Sequence, residues 1–373
     1  MKAKIICLAI LLISQLTYAQ MTPLIAHSLR FARVPHGIVE KAEATPLPLV
    51  NLTMPLSGDK LAVLDGLFGQ SPAAMAWLFW SNDALVYERY AAPELRTSLV
   101  TTFSVSKTFT SLMVGQALCE GKISSLDDLA SRYEPRLIGT AYEKNTIRSL
   151  LTMTAGVEHT SAQGANDMRQ LSAGQKTVLE TVQDKRKLPF QESYFGKKFN
   201  YDNTATNVLG MMLKTVVQDH LSSYFSKSIY QAARPIANGR WLRDKNGDEY
   251  AMGSFLAVPR DHLRLGIYTL SLIKGTAGEA CLQSYAREMV KKSVSTSSKP
   301  PVFGTDTGYG FQIWTDLSDL PKNTLEMRGY GGQGIFLMPE SGGVFLVVTA
   351  SDAQPDERSM LNAKKALQVL IAP

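Results

Sequence analysis

The stretch Thr102-Phe-Ser-Val-Ser-Lys-Thr-Phe-Thr-Ser-Leu-Met-Val-Gly-Gln-Ala-Leu118 places a serine and a lysine three residues apart in an otherwise hydrophobic run. At 3.6 residues per turn, Ser104, Lys107, Thr108, Ser111 and Gly115 fall on one narrow stripe, whereas Val105, Phe109, Leu112, Met113 and Leu118 are apolar elsewhere. The spacing therefore predicts a buried helix with a small, polar seam. Ser104 and Lys107 meet at its first turn, where unsatisfied N–H groups and the positive dipole end favour a developing oxyanion. An amine beside a hydroxyl in this S-x-x-K arrangement is the chemistry of an activated serine nucleophile. Ser57-Gly-Asp-Lys60 matches the same spacing but lies among turn formers, and no comparable seam follows it.

A serine of this kind needs a proton path to the leaving group, which a further hydroxyl supplies. Phe199-Asn-Tyr-Asp-Asn203 precedes an apolar helical run and contains the chain's one Y-x-N, Tyr201 and Asn203, among 14 tyrosines. Read locally, it is the turn into a helix, with Asn203 near the cap and Tyr201 packed. A third element, Arg328-Gly-Tyr-Gly-Gly-Gln-Gly-Ile335, leads into a strand. Its glycines admit substrate close to the backbone, where an N–H can donate to an oxyanion; the plain alternative is a tight turn or bulge. It is no phosphate loop, because G-x-x-x-x-G-K is absent.

The elements that must position these residues are legible in outline. Ala74–Trp80 and Ala84–Tyr90 read as strands around a Ser81–Asp83 turn, and Gly334–Met338 and Val344–Thr349 do so around Pro339–Gly343. Leu126–Tyr133, Thr146–Met153, much of 164–218 and Val258–Ile273 read as helices, and an amphipathic helix runs from about Glu357 to Leu370. Strands at both ends with helices between predict an α+β fold: one antiparallel sheet built from both termini, flanked by helices, with an inserted helical region over about 120–250. Residues 20–70, rich in proline and without sustained period, read as an extended arm, and 71–373 as the main domain.

The first residues carry two lysines, an apolar run over Ile5–Leu16 and small residues at Thr17 and Ala19, the pattern of a secretory signal peptide over 1–19. Cys7 lacks the context of a lipid-attachment site, and no later run is long enough to span a bilayer. Cys119 and Cys281 remain. Cys119 reads as a small buried hydrophobe, and sequence leaves its pairing with Cys281 open. The net charge of +6 comes from scattered clusters such as Lys185–Lys187, Lys197–Lys198 and Lys291–Lys292, without the aromatic interleaving of a nucleic-acid surface. His27, His36, His159, His220 and His262 are isolated, so no metal site is expected. Asn51-Leu-Thr53 is a glycosylation sequon only in a eukaryotic secretory route.

The order S-x-x-K, Y-x-N, glycine-rich strand resembles the class C β-lactamase-like serine hydrolases, which include D-alanyl-D-alanine peptidases, esterases and 6-aminohexanoate-oligomer hydrolases. The resemblance spans about Trp77 to Thr349 and includes Gly121-Lys-Ile-Ser-Ser-Leu-Asp-Asp128, Thr146-Ile-Arg-Ser-Leu-Leu-Thr-Met-Thr-Ala-Gly156, Gly308-Tyr-Gly-Phe-Gln-Ile-Trp314 and Gly331-Gly-Gln-Gly-Ile-Phe-Leu-Met-Pro-Glu340. It implies Ser104 as the acylated nucleophile, Lys107 as base or base-orienting partner and Tyr201 as proton relay. Asn203 would orient Lys107 or bind the substrate amide. The N–H groups of Ser104 and Gln333 would form the oxyanion hole, beside Tyr330, Gly331 and Gly332. Either a neutral Lys107 or a Tyr201 phenolate could take the proton. No metal or organic cofactor is implied. Many relatives have Lys-Thr-Gly or His-x-Gly where this chain has Tyr330-Gly-Gly332. The cation that attracts a substrate carboxylate is thus missing, which favours an uncharged ester or amide, a small molecule or a cell-envelope compound. Arg328 could replace that charge, but a surface position is the simpler reading. The alternatives are a β-lactamase or D,D-peptidase, or a non-catalytic envelope-binding or sensor module of the same fold.

Overall fold

In the computed structural model, which describes residues 34–50, 56–158, 160–184, 190–296, 307–317, 320–350 and 357–372, strands from the two ends of the chain lie side by side. The expected signal peptide, Cys7, His27, the Asn51–Thr53 sequon, His159 and the Lys185–Lys187 cluster lie outside the described residues. The strands are β1 (His36–Val39), β2 (Ala74–Ser81), β3 (Ala84–Tyr90), β4 (Val100–Thr101), β5 (Gly239–Leu242), β6 (Phe255–Ala257), β7 (Val294–Ser295), β8 (Gly308–Tyr309), β9 (Trp314–Thr315), β10 (Leu325–Arg328), β11 (Gly334–Met338) and β12 (Gly343–Thr349). Eight form an antiparallel sheet in the order β3-β2-β12-β11-β10-β9-β8-β7. The turn between β2 and β3 has Asn82 and Asp83 both at positive φ, 49° and 60°, as a two-residue hairpin requires.

Strands β2, β11 and β12 are apolar at nearly every position because both sheet faces are covered. Trp77, Phe79, Phe336, Phe345 and Val347 point to one face, against Leu64 and Phe68 of α1 (Gly58–Gly69) and Ala363, Ala366 and Leu367 of a C-terminal helix, Glu357–Ile371. Their neighbours Leu78, Ile335, Leu337, Leu346 and Val348 point to the other face and join the main core with α2 (Ser106–Cys119), α3 (Asn203–Val217), α4 (Pro259–Lys274) and α5 (Ala280–Met289).

Three expectations are corrected. The segment before the main sheet is not wholly an extended arm, since it contributes both β1 and α1; only Leu64 and Phe68 of α1 are buried while Leu61 and Val63 are exposed, so no apolar period shows. The 120–250 region is not purely helical, because β5 pairs with β1 and β6 in a second sheet of order β1-β5-β6-β4. Of the expected helix Leu126–Tyr133, only Ala130–Tyr133 is helical, while Leu129 bridges to Thr146.

Cys119, read as a buried hydrophobe, instead forms a disulfide with Cys281, joining the end of α2 to the start of α5 across 162 residues. Closing so long a loop restricts the unfolded chain far more than the folded one. The double variant C119S/C281S is expected to fold with its unfolding free energy reduced by about 2–4 kcal/mol, measured by urea denaturation. An unchanged midpoint would show that the bridge adds nothing.

Candidate active site

The turn that carries Ser104 starts from β4, which pairs with β6 through Val100 opposite Ala257 and Thr101 opposite Leu256. The chain then turns sharply at Phe103, whose φ of +49° is costly for a bulky residue. The turn is held by short ties: Phe103 N–H donates to Thr101 Oγ1 (3.1 Å), Ser106 Oγ to Phe103 O (2.8 Å), and Phe255 N–H to Ser106 Oγ (3.2 Å). Beneath it, His262 is fully buried with Nε2 3.0 Å from Val100 O and Nδ1 3.5 Å from Thr102 Oγ1. Burial pushes its pKa down to about 4, so at neutral pH the imidazole is an uncharged prop.

Ser104 is half-buried in this turn, and the predicted seam runs from it into α2. Lys107 is 1% exposed, and its Nζ donates to Ser104 Oγ at 2.8 Å and to Met252 O at 2.6 Å. Burial drives its pKa down to about 7, partly opposed by the charge of Asp202. The rest of the seam is structural. Thr108 Oγ1 donates to Gln312 O (2.7 Å), Ser111 Oγ lies 2.9 Å from Tyr285 OH, and Gly115 leaves room for the Tyr285 ring, which a Cβ would approach to 2.4 Å.

Met252 is itself fixed: its N–H donates to Asn207 Oδ1 (3.2 Å), the preceding Ala251 O accepts from Thr110 Oγ1 (2.8 Å), and Trp241 Nε1 donates to Tyr250 O and Gly253 O (3.0 and 3.1 Å). Sequence reasoning missed this strap, which belongs to no motif and carries its function on a backbone carbonyl.

Tyr201 enters from the loop before α3. Its ring lies 5.0 Å from Lys107 Nζ and is stacked on Trp314 with centroids 6.1 Å apart. Burial pushes the phenol up to about 12, and the neighbouring Ser104 hydroxyl and Arg328 cation pull the other way. The Tyr201 hydroxyl is thus within hydrogen-bonding reach of the Ser104 hydroxyl, a contact of the kind that tightens with substrate in place. Asp202, not Asn203, caps α3, accepting from Thr204 N–H at 2.8 Å and from the Tyr142 hydroxyl. Asn203 is half-buried at the first helical position; Met252 O, rather than its amide, holds Lys107.

The glycine-rich element is the hairpin between β10 and β11. Gly331 and Gly332 have φ of 76° and 88°, values that favour glycine, and Gly329 N–H donates to Gln333 O at 2.8 Å. The Gln333 side chain is buried in exchange with Thr349, donating to its O (2.8 Å) and accepting from its N–H (3.1 Å), so any contact with substrate falls to its backbone. Tyr330 is 45% exposed at the rim, edge-on to Phe103 with centroids 6.0 Å apart. Arg328 is not a surface residue. Its side chain is 16% exposed, bonded to Glu326 and placed 4.3 Å above the Trp314 ring. The second S-x-x-K, Ser57–Lys60, serves as a helix cap, with Ser57 Oγ accepting from Lys60 N–H. A third, Ser271–Lys274, closes α4 with Ser271 Oγ bonded to Ile267 O.

Among known proteins, a family model described as Beta-lactamase matches residues 64–370. No curated protein matches the chain. Solved structures similar to it include a Bacillus anthracis protein assigned as a 6-aminohexanoate-dimer hydrolase, with TM-score 0.70 and 19% identity, covering 92% of this chain and 93% of that one. EstCE1, a hydrolase with promiscuous acyltransferase activity, has TM-score 0.67 and 18% identity over 83% of this chain and 98% of its own. A D-stereospecific amidohydrolase from a Streptomyces species has TM-score 0.60 and 18% identity over 82% and 98%.

A Cβ on Gly329 would stand 2.1 Å from Thr102 O, the backbone that leads into the Ser104 turn. Gly329→Ala is therefore expected to displace that turn and slow fluorophosphonate labelling at Ser104 at least about tenfold, followed by intact mass. Labelling at the parental rate would show that the hairpin does not set the serine's position.

Proposed function

Because the chain belongs to the beta-lactamase family of serine hydrolases, we propose that it cleaves an uncharged ester or amide through an acyl-enzyme on Ser104. One observation carries the reading: a wholly buried amine with its pKa near 7 bonded to a serine hydroxyl at 2.8 Å. At neutral pH Lys107 readily loses a proton, whereas Tyr201 holds its own until about 12. Neutral Lys107 is therefore the base and Tyr201 the relay.

Ser104 Oγ attacks the substrate carbonyl as its proton passes to Lys107. The tetrahedral oxyanion is received by the N–H groups of Ser104 and Gln333, with the hairpin of Tyr330, Gly331 and Gly332 as the facing wall. The relay through Tyr201 returns the proton to the departing alcohol or amine, and Asn203 meets the polar part of the substrate. Water then repeats the sequence on the acyl-enzyme, releasing the acid and restoring Ser104.

The preference for a neutral substrate rests on charge. Tyr330 stands where a lysine would attract a carboxylate, and the nearby guanidinium of Arg328 is paired with the buried Glu326. Export to an oxidising compartment is part of the same reading, supported by the Cys119–Cys281 bridge and the leader pattern of residues 1–19. No helix among the described residues is long and apolar enough to cross a membrane.

Turnover of a p-nitrophenyl ester, with little of nitrocefin, and its loss in Ser104→Ala are the expected outcomes. A fluorophosphonate adduct mapped to any other residue overturns the assignment. The rate should rise with pH through about 7, because the protonated amine below that value cannot accept the serine proton. Lys107→Arg, which stays charged, should lose at least about a hundredfold in kcat. Rapid nitrocefin turnover would replace the ester reading with that of a lactamase. N-terminal sequencing of protein recovered from cells should begin at Gln20.

A further inference from the structure

The reacting groups do not end at Tyr201. In order of contact, Lys107 Nζ lies 5.0 Å from the Tyr201 ring, Tyr201 is stacked on Trp314 at 6.1 Å with planes 24° apart, and Arg328 Cζ stands 4.3 Å from the Trp314 ring. Each member is fixed from the side. Tyr309 and Phe199 meet Trp314 edge-on, with centroids 5.2 and 5.7 Å away. Glu326 sits opposite Trp314 in the register of β10 and β9, and it accepts from Arg328 Nε at 2.9 Å and from a second guanidinium nitrogen. An exposed ion pair of this kind would be worth little, but these side chains are only 16% and 1% exposed.

We propose that Arg328 is a positioning residue for the proton relay: held by Glu326, its guanidinium fixes the Trp314 indole against which the Tyr201 ring rests, and so sets where the phenol stands relative to Ser104 and Lys107. The inference rests on the roles given above to those three residues. The flat guanidinium is essential to it, because an ammonium cannot lie on an indole face while forking to a carboxylate. Arg328 also acts through its charge. Around Tyr201 stand Ser104 from the turn Phe103–Val105 and Lys107 from α2, Asp202 and Phe199 from its own loop, Tyr309 and Trp314 from β8 and β9, and Arg328 with Glu326 from β10. Among these the Arg328 cation favours loss of the phenol's proton.

The test is steady-state hydrolysis of a p-nitrophenyl ester across pH 5–10 by the parent, Arg328→Lys and the double variant R328M/E326Q, which removes the cation without leaving Glu326 buried and unpaired. The double variant is expected to lose about tenfold in kcat with KM little changed. Its rising pH limb should stay near 7, because Lys107 sets it and the double variant removes the cation together with its carboxylate partner. Arg328→Lys should keep the limb in place yet lose several-fold in kcat, because charge remains but the stacked plane does not. A folded double variant with parental kcat overturns the proposal, as does a rise in KM alone, which would make Arg328 a substrate contact. If the double variant does not fold, Arg328→Lys decides: parental kcat overturns the proposal, and reduced kcat with an unmoved limb supports it. Fluorophosphonate labelling of the parent separates the two levels. No adduct at Ser104 removes the underlying reading, whereas an adduct at Ser104 with no kinetic effect at Arg328 removes only this inference.

Discussion

A lysine amine withdrawn from water, with a serine hydroxyl and a single backbone carbonyl as its hydrogen-bond partners, is the constraint on which this molecule turns. Burying an ammonium ion without a counter-charge is among the costliest things a fold can do. Lys107 avoids most of that cost by giving up its proton near neutrality, and the Asp202 carboxylate keeps it from doing so at still lower pH. The amine is useful chemically only while Met252 O and Ser104 Oγ hold it in one place. The strap from Tyr250 to Gly253, tied to α2 by Thr110, to α3 by Asn207 and to β5 by Trp241, is therefore as much a part of the site as the motif itself.

Backbone strain collects around the same point. Phe103, Ser254 and Gln312 all have positive φ, at 49°, 68° and 60°, and none is glycine. Each such residue costs on the order of 1–3 kcal/mol and persists only where its surroundings over-determine it. Gln312 shows how. Its side-chain amide donates to Leu150 O and Leu151 O and accepts from Thr206 Oγ1, its N–H donates to Leu151 O, and its O accepts from Thr108 Oγ1. One residue thereby joins α2, α3 and the helix Ile147–Leu151, and Trp314, two residues on, inherits its place.

The parts legible in the sequence are those in which local pattern and tertiary role agree. The seam of α2 has a helical period, the hairpins β2–β3 and β11–β12 are strand-rich runs broken by turn residues, and the structure has them at nearly the expected bounds. The small sheet escaped notice because β4, β5 and β6 are two to four residues long and exist only through pairing between distant segments. Likewise Asp202 could be seen in Y-x-N as a spacer but not as a cap beside Lys107, and Met252 acts through an atom that every residue has. Cys119 looked apolar because it ends a buried helix; that Cys281 lies beside it is set by how α5 packs on α2.

Seen from the substrate side, the arrangement of Arg328 has two effects with one cause. Drawing the guanidinium onto Trp314 and into the reach of Glu326 steadies the aromatic column that ends at Tyr201, and it also pairs the cation just before the glycine-rich hairpin with a carboxylate. With Tyr330 at the rim instead of a lysine, a carboxylate entering the site meets aromatic faces and backbone N–H groups rather than a bare cation. Desolvating that anion without a partner would oppose binding by several kcal/mol, whereas a neutral acyl compound has no such barrier. The proposed selectivity for uncharged acyl groups would thus follow from the same packing that holds Tyr201, and a change that restored a cation at the rim would have to leave the Arg328–Trp314–Tyr201 column undisturbed.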